Sequence, residues 1–186
     1  MTEPTPLQKI IAQRRSIRRY LPQPVEREKV LACLEAARAA PSAQNSQPWR
    51  FVVIDDPELK ARFAETAFSG IYTSTRFAAQ APVFILILAR LDLVAGRLGR
   101  QIQGVPYNLV DIGIAGEHLV LQAEEIGLRT CWIGWFDTRR TRKFFKIPRK
   151  YKIIAMLSLG YSDKRPPREA SRKPLEEIAW FNRIGA

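Results

Sequence analysis

The sequence predicts one domain in which a β-sheet is covered by α-helices. The chain has 186 residues, 46% of them hydrophobic and 26% charged, which is typical of a single globular domain with its own core. Four short apolar runs rich in β-branched and aromatic residues indicate strands. Segments with helical periodicity lie between these runs, and this order packs helices against a sheet. We see no internal repeat and no linker, so we expect one domain over residues 1–186.

Five segments carry helix signals. Asp56 suits the position that caps a helix start, and Pro57 suits the first helical position. Gly127 suits the residue that follows the last turn of a long helix. The predicted helices cover residues 7–14, 25–37, 56–68, 107–125 and 139–146.

The four apolar runs predict strands. The longest, from Ala81 to Ala89, is far shorter than the roughly 20 residues that cross a bilayer, so it indicates a buried strand. Residues 70–80 show no clear preference, and residues 91–104 suggest a surface excursion. The predicted strands cover residues 49–54, 81–89, 130–136 and 152–160.

The charge balance is strongly basic. Lys and Arg number 30 against 18 Asp and Glu, which gives a formal net charge of +12. Such a field attracts anions, whether nucleic acid, acidic lipid or phosphorylated small molecules. The basic residues are spread over segments 14–19, 27–29, 139–152 and 164–173, so net charge alone does not select the partner.

The cysteines and the N-terminus bear on the compartment. Cys33 and Cys131 are far apart and form no CxxC pair, which argues against a disulfide framework or a cysteine-rich metal site. The first residues lack the pattern of a signal peptide. We therefore expect a cytoplasmic protein.

The basic cluster Arg14-Arg15-Ser16-Ile17-Arg18-Arg19 is the first candidate binding motif. Guanidinium groups bind phosphate in a bidentate way, and a serine hydroxyl adds one more donor. The first predicted helix enters this cluster by its C-terminus, so side chains and not the helix dipole would hold the anion. The same residues also fit a solvated basic helix end, and both interpretations stay open at this point.

Two further segments have ligand-like composition. Between Pro41 and Pro48, five of the six side chains are able to form hydrogen bonds, and the amides suit a ligand edge with both donors and acceptors. Gly134 lies between Trp132 and Trp135, where a glycine lets a ligand approach the backbone. Taken alone, the first segment also fits an ordinary polar turn and the second a bulged core strand.

Together these motifs resemble the nitroreductase-like FMN flavoproteins. The likeness runs from about residue 8 to residue 180, through RRSIRRY, APSAQNSQPWRF, GLRTCWIGWF and LGYSDKRPPREASRKPLEEI. The resemblance implies an α+β three-layer fold, a central mixed β-sheet flanked by helices, and an intertwined homodimer with FMN at the subunit interface. It also implies that NADH or NADPH reduces the flavin at N5, and that a small oxidant such as a nitroaromatic or quinone is reduced in turn.

The resemblance assigns cofactor-binding roles by position, and no catalytic side chain, because flavin N5 carries the chemistry. Arg14, Arg15 and Ser16 match positions beside the FMN phosphate and ribityl chain, and Arg18 matches one near N1 and O2 of the ring. Three other segments supply the remaining cofactor positions. Pro41, Ser42 and Asn45 match positions that approach the flavin from the partner subunit, and the backbone of Ile133 and Gly134 matches the stretch near N5 and O4. Arg172, or alternatively Lys173, matches a position near the phosphate.

Two other functions compete with an enzyme. A flavin-binding sensor or store without turnover would carry the same motifs. A basic nucleic-acid-binding protein would suit the charge, but Trp49, Phe51, Trp132 and Trp135 fall in or beside strands that we predict to be buried. Such aromatics are not the exposed stacking platforms that nucleic acid requires. The single histidine, His118, lies in an apolar helical context that predicts a structural role.

Overall fold

Four antiparallel strands form one sheet in the order β1-β2-β4-β3. The computed structural model describes residues 3–91, 104–164 and 171–185. Strands β2 and β4 lie in the centre, and β3 lies at one edge, where Arg129 is opposite Gly160 and Ile133 is opposite Met156 of β4. The strand bounds are β1 Trp49–Ile54, β2 Val83–Arg90, β3 Arg129–Ile133 and β4 Tyr151–Gly160.

The described residues form five α-helices, and four of them begin at a capping side chain or beside a proline. Asp56 accepts a hydrogen bond from the Leu59 amide, and Asp137 accepts one from the Arg140 amide. Thr5 opens the first helix with a reciprocal capping box. The helices are α1 Pro6–Gln13, α2 Arg27–Arg38, α3 Pro57–Ala67, α4 Tyr107–Glu125 and α5 Thr138–Phe144, with short 3-10 segments at Ala43–Asn45, Gly70–Gln80 and Leu175–Glu177.

The sheet separates two hydrophobic cores. On one face, Ile85 and Ile87 of β2 pack with residues of α2 and α4 such as Ala37 and Leu119. On the other face, alternate residues of β2 pack with an aromatic cluster that includes Phe63 of α3. Because both faces of β2 are covered, its sequence is a continuous apolar run and not an alternating one. The result is three layers, with helices on both sides of the sheet.

The predicted α+β fold and three-layer arrangement are confirmed. The four strands pair only in antiparallel fashion, and a parallel pairing enters through a bridge between Ser16 and Thr130. In that bridge the Ile17 amide donates to the Thr130 carbonyl over 2.9 Å. The mixed character of the sheet therefore rests, within the described ranges, on the short extended segment that follows α1.

Most predicted element bounds lie within two residues of those in the structure, and the third strand differs most. The third strand ends at Ile133 and not at Phe136, because the Asp137 amide donates to the Ala67 carbonyl and draws the chain away from the sheet. Residues 70–80, which the sequence left unassigned, form a 3-10 segment. The predicted surface excursion at 91–104 lies almost wholly outside the described residues.

Helix α4 approaches β3 closely at Gly116. A Cβ atom on Gly116 would overlap the ring of Trp132, with Cζ2 only 2.6 Å away. The indole Nε1 of Trp132 also donates to Oε2 of Glu117 over 3.3 Å. Glycine at this position therefore lets the Trp132 ring lie against the helix backbone.

We expect Gly116→Ala to lower the free energy of unfolding by about 2 kcal/mol, because the added methyl group overpacks this contact. Gly113 on the same helix is the matched control, since a Cβ there would meet nothing within 4 Å. Gly113→Ala should raise stability by roughly 0.5–1 kcal/mol, as expected for glycine in a helix interior. Urea unfolding at one protein concentration measures the free energy of unfolding of both variants. Equal changes in the two variants would contradict the close contact between Gly116 and Trp132.

Candidate functional site

The basic cluster lies along the outer edge of β3. The parallel bridge at Ser16 aligns the chain with β3, and the Ile17 side chain is buried. The Tyr20 hydroxyl donates to the Ile17 carbonyl over 2.9 Å and lies 2.8 Å from Oγ of Ser158 on β4. Burial raises the pKa of Tyr20, so its hydroxyl remains protonated and continues to fix the segment.

Arg14 and Arg15 make different contacts. Nε of Arg14 lies 3.7 Å from Oε1 of Glu117 on α4, and the Arg14 side chain is largely covered. Nη1 of Arg15 donates to the carbonyls of Ala12 and Arg14, at the C-terminal end of α1. Arg14 is therefore held on α4, whereas Arg15 caps the end of its own helix.

Ser16 and Arg18 are exposed beside the buried thiol of Cys131 on β3. Burial raises the pKa of the Cys131 thiol, and the charge of Arg18 and hydrogen bonds from Ser16 and Arg18 partly oppose that shift. The guanidinium carbon of Arg18 lies 5.6 Å from the centroid of the Phe77 ring. This cation–π contact orients Arg18 along the sheet edge.

The loop from Pro41 to Pro48 holds three non-glycine residues in the left-handed region. Their φ angles are 53° for Gln44, 53° for Asn45 and 45° for Gln47. Such conformations cost energy and cluster where backbone shape serves a function. The Gln47 amide donates to Oγ of Ser42 over 2.9 Å, and the Ala43 amide donates to the buried carboxylate of Asp111 over 3.1 Å. The loop is thus fixed on α4, with Asn45 exposed.

The loop and the basic cluster meet α4 at different places. Asp111 anchors the loop and Glu117 contacts Arg14. These carboxylates are six residues apart, which is about 9 Å along a helix axis and about 120° around it. Within one chain, Asn45 and Arg14 therefore lie on different faces of α4.

Gly134 follows the end of β3 and faces open space. A Cβ there would meet no atom within 4 Å, so no contact within the described chain demands glycine. Ile133 before it is buried. The backbone at Gly134 is consequently accessible from outside, close to the strand along which the basic cluster lies.

The prediction that Trp135 is buried is wrong: 52% of the residue is exposed. Its Nε1 donates to the Ile71 carbonyl over 3.0 Å, and its carbonyl accepts from Oγ1 of Thr75 over 2.6 Å. Its ring lies 5.2 Å from that of Tyr72. The 3-10 segment Gly70–Gln80 therefore supports both Trp135 and, through Phe77, Arg18.

Sequence reasoning missed these residues because the segment shows neither a helical nor a strand period. Its aromatic residues, Tyr72 and Phe77, were the available signal. Their partners Trp135 and Arg18 are about 60 residues away in either direction, so only the fold shows the contact.

The described contacts of the C-terminal segment do not involve the basic cluster. Nη1 of Arg172 donates to the carbonyl of Ser171, and Nζ of Lys173 lies 3.8 Å from a carboxylate oxygen of Glu177. The segment ends in uncovered apolar residues, with Phe181 86% and Ile184 88% exposed. Neither Arg172 nor Lys173 is brought to Arg14 by these contacts.

Comparison with known proteins decides the family. The model of the nitroreductase family matches residues 11–161. This chain belongs to the nitroreductase family. A relative named NADH dehydrogenase, from Thermus thermophilus, is 33% identical over an alignment of 195 residues. The alignment covers 89% of this chain and 91% of the relative.

Solved structures of the nitroreductase family share the fold. One from Clostridium difficile 630 is 31% identical, has a TM-score of 0.78 and covers 95% of this chain and 98% of its own. An FMN-dependent nitroreductase from Clostridium difficile R20291 is 30% identical, has a TM-score of 0.73 and covers 94% of this chain and 98% of its own. The chain is accordingly an oxidoreductase of this family.

In this nitroreductase-family chain, the histidine and the two cysteines lie in structural positions. Nδ1 of His118 lies 3.3 Å from the Ala36 carbonyl, between α4 and α2. Cys33 and Cys131 are free and buried, and burial raises the pKa of Cys33 to about 11. Among the described residues, no cluster of His, Cys, Asp and Glu could hold a metal ion, and no helix is long and apolar enough to cross a membrane.

Proposed function

We propose that the protein is an FMN-dependent oxidoreductase that passes hydride from NADH or NADPH through flavin N5 to a small oxidant such as a nitroaromatic or quinone. One observation carries the proposal. The Ser16–Thr130 bridge sets the cationic segment 14–18 along the strand that leads to the open backbone of Gly134. A cofactor with a phosphate at one end and a flat ring at the other fits this arrangement.

The phosphate end fits the donors of the basic cluster. Arg14 and Ser16 offer a guanidinium group and a hydroxyl, which together suit a phosphate better than either alone. In our proposal Arg15 contributes charge more than direct hydrogen bonds, because its Nη1 is used at the end of α1. Arg172 or Lys173 completes the phosphate shell from the C-terminal segment.

The ring end fits Gly134 and Arg18. When bound, FMN supplies a ring nitrogen, N5, that accepts and returns hydride. The backbone of Ile133 and Gly134 orients that edge of the ring, since no side chain at Gly134 blocks its approach. Arg18, oriented on Phe77, favours negative charge at the N1 and O2 side, because an adjacent cation favours the charged form of an acid.

A second copy of the chain completes the site in this proposal. Pro41, Ser42 and Asn45 lie on another face of α4 from Arg14, so they reach the same cofactor from the partner subunit. The structure offers apolar surface for such an interface, since Ile11 of α1 is 52% exposed and the C-terminal segment is uncovered. Burying that surface between two intertwined chains would stabilise the dimer.

Two further assignments belong to the proposal. Residues 1–186 act as one domain, and the protein works in the cytoplasm, where free thiols such as Cys33 and Cys131 stay reduced.

The names of the relatives support the proposed flavin and nicotinamide chemistry. One structure is named as FMN-dependent, and the Thermus relative is named for NADH.

Purification followed by anaerobic reduction tests the proposal. We expect a yellow protein with flavin absorbance that NADH or NADPH bleaches and that a nitroaromatic or quinone restores. A colourless protein that FMN cannot reconstitute would overturn it. Flavin that binds but is reduced by neither nicotinamide would indicate a sensor or store instead.

We expect Arg14→Ala combined with Ser16→Ala to lower flavin occupancy at least about tenfold, because a charged and a neutral phosphate donor are lost together. Arg19→Ala is the control, since it removes a neighbouring exposed charge to which no cofactor contact is assigned. Flavin-to-protein absorbance ratios measure occupancy, and circular dichroism checks the fold. Undiminished occupancy in the double variant would sink the phosphate assignment.

A further inference from the structure

A groove of about 360 Å³ lies between α5 and the start of β4, and none of its lining residues is assigned to the flavin. Four of its six lining residues are cationic and none carries a carboxylate. The lining residues are Thr138, Arg139, Arg142, Lys143, Lys152 and Ile153.

Two elements bring these groups together. Arg139 and Lys143 are four residues apart on α5, so they lie on one face of the helix. Lys152 comes from β4 on the opposite wall, next to the buried side chain of Ile153. Cationic groups from both walls therefore surround a concave surface with an apolar floor.

Arg142 holds the two walls in place. Its Nη1 donates to the carbonyls of Ile147 and Pro148 over 2.9 and 3.0 Å, and its Nη2 donates to the carbonyl of Tyr151 over 2.7 Å. These bonds tie α5 to the turn that leads into β4. The groove is thus pre-organised, which lowers the entropic cost of binding a ligand there.

The other cations of the groove are not neutralised. Among the described residues, none of Arg139, Lys143 and Lys152 forms an ion pair, whereas the adjacent Arg140 lies 3.5 Å from Oδ2 of Asp137 and donates to Oγ of Ser69. Like charges that converge on one concavity repel each other, and a bound anion relieves the repulsion.

We propose that this groove binds a phosphate ester or diphosphate group of a small molecule. Arg139 supplies a planar fork, Lys143 and Lys152 supply point charges, and the Thr138 hydroxyl supplies a neutral donor. The volume suits a small ligand and not a long polymer.

Two sources can supply such a group. Thr138 lies four residues after Gly134, within roughly 14 Å of chain, so the phosphates of the nicotinamide donor are one source. This source rests on the proposed function. A separate phosphorylated metabolite that acts on the enzyme is the other source, and the chemistry recognised is the same.

Calorimetric titration of the flavin-loaded protein with inorganic pyrophosphate tests the groove. FMN then occupies the phosphate donors of its own site, so the titration measures a second site. We expect saturable binding that weakens about tenfold or more in Arg139→Gln/Lys152→Gln, which loses donors from both walls.

Arg62→Gln/Lys9→Gln is the matched control, since it removes the same charge from exposed residues that do not line the groove. We expect the control to change affinity less than about twofold, because exposed charges at a distance are screened by salt. Equal weakening in both variants, or no saturable binding to the wild type, would overturn the proposal. A competition with a short DNA duplex tests the small-molecule assignment. If the duplex displaces pyrophosphate from the wild type, and does so at a lower concentration than pyrophosphate needs to bind, that assignment is overturned.

Steady-state kinetics then separate the two sources. If a phosphate of the nicotinamide donor binds in the groove, the groove variant raises the KM for NADPH about tenfold. The KM for NADH then rises equally if the groove holds the diphosphate, and much less if it holds the additional phosphate ester of NADPH. If a separate ligand binds, both KM values stay at the wild-type level while pyrophosphate binding is lost. A protein that lacks flavin but still binds pyrophosphate through these residues would refute the proposed function and leave the groove standing.

Discussion

The short pairing between the segment after α1 and the edge of β3 positions the rest of the site. One backbone hydrogen bond, from the Ile17 amide to the Thr130 carbonyl, sets its register. The buried Ile17 side chain and the Tyr20 hydroxyl reinforce it. The pairing also protects an open strand edge, which would otherwise invite other chains. Through this arrangement, a cationic segment near the N-terminus lies beside a strand that begins more than a hundred residues later.

Helix α4 provides the second constraint. Its Gly116 admits the ring of Trp132, so the helix is held against β3. Its Glu117 contacts Arg14, and its Asp111 fixes the strained loop that carries Asn45. Because these two carboxylates point to different sides of the helix, each chain would contribute two half-sites to the cofactor site that we propose. Two chains that exchange these halves would build two complete sites, and this geometry favours a cofactor between subunits.

Much of the fold was predictable from the sequence. The β-branched and aromatic run 49–54 and the helix 107–125 match their predicted bounds, because apolar period and end signals agree there. The three ligand-like segments stand out in the sequence because Gly134 and the arginines of the basic cluster have unusual neighbours, and their role in binding a ligand stays a prediction. Local chemistry is sufficient for such features.

Other features depend on distant contacts and were not predictable. Trp135 looks like a core residue in sequence, yet its ring rests on the surface of the 3-10 segment. Arg15 looks equivalent to Arg14, but the end of α1 takes one of its donors. The apolar residues at the end of the C-terminal segment stay exposed in the described chain, and in our proposal a partner subunit covers them.

Native mass spectrometry of the flavin-loaded protein tests the shared cofactor site most directly. We expect a particle of two 21.2 kDa chains carrying two FMN molecules. We also expect FMN to be lost when dilution separates the chains, because each proposed site needs residues from both. A single chain that retains FMN would contradict the site that we describe.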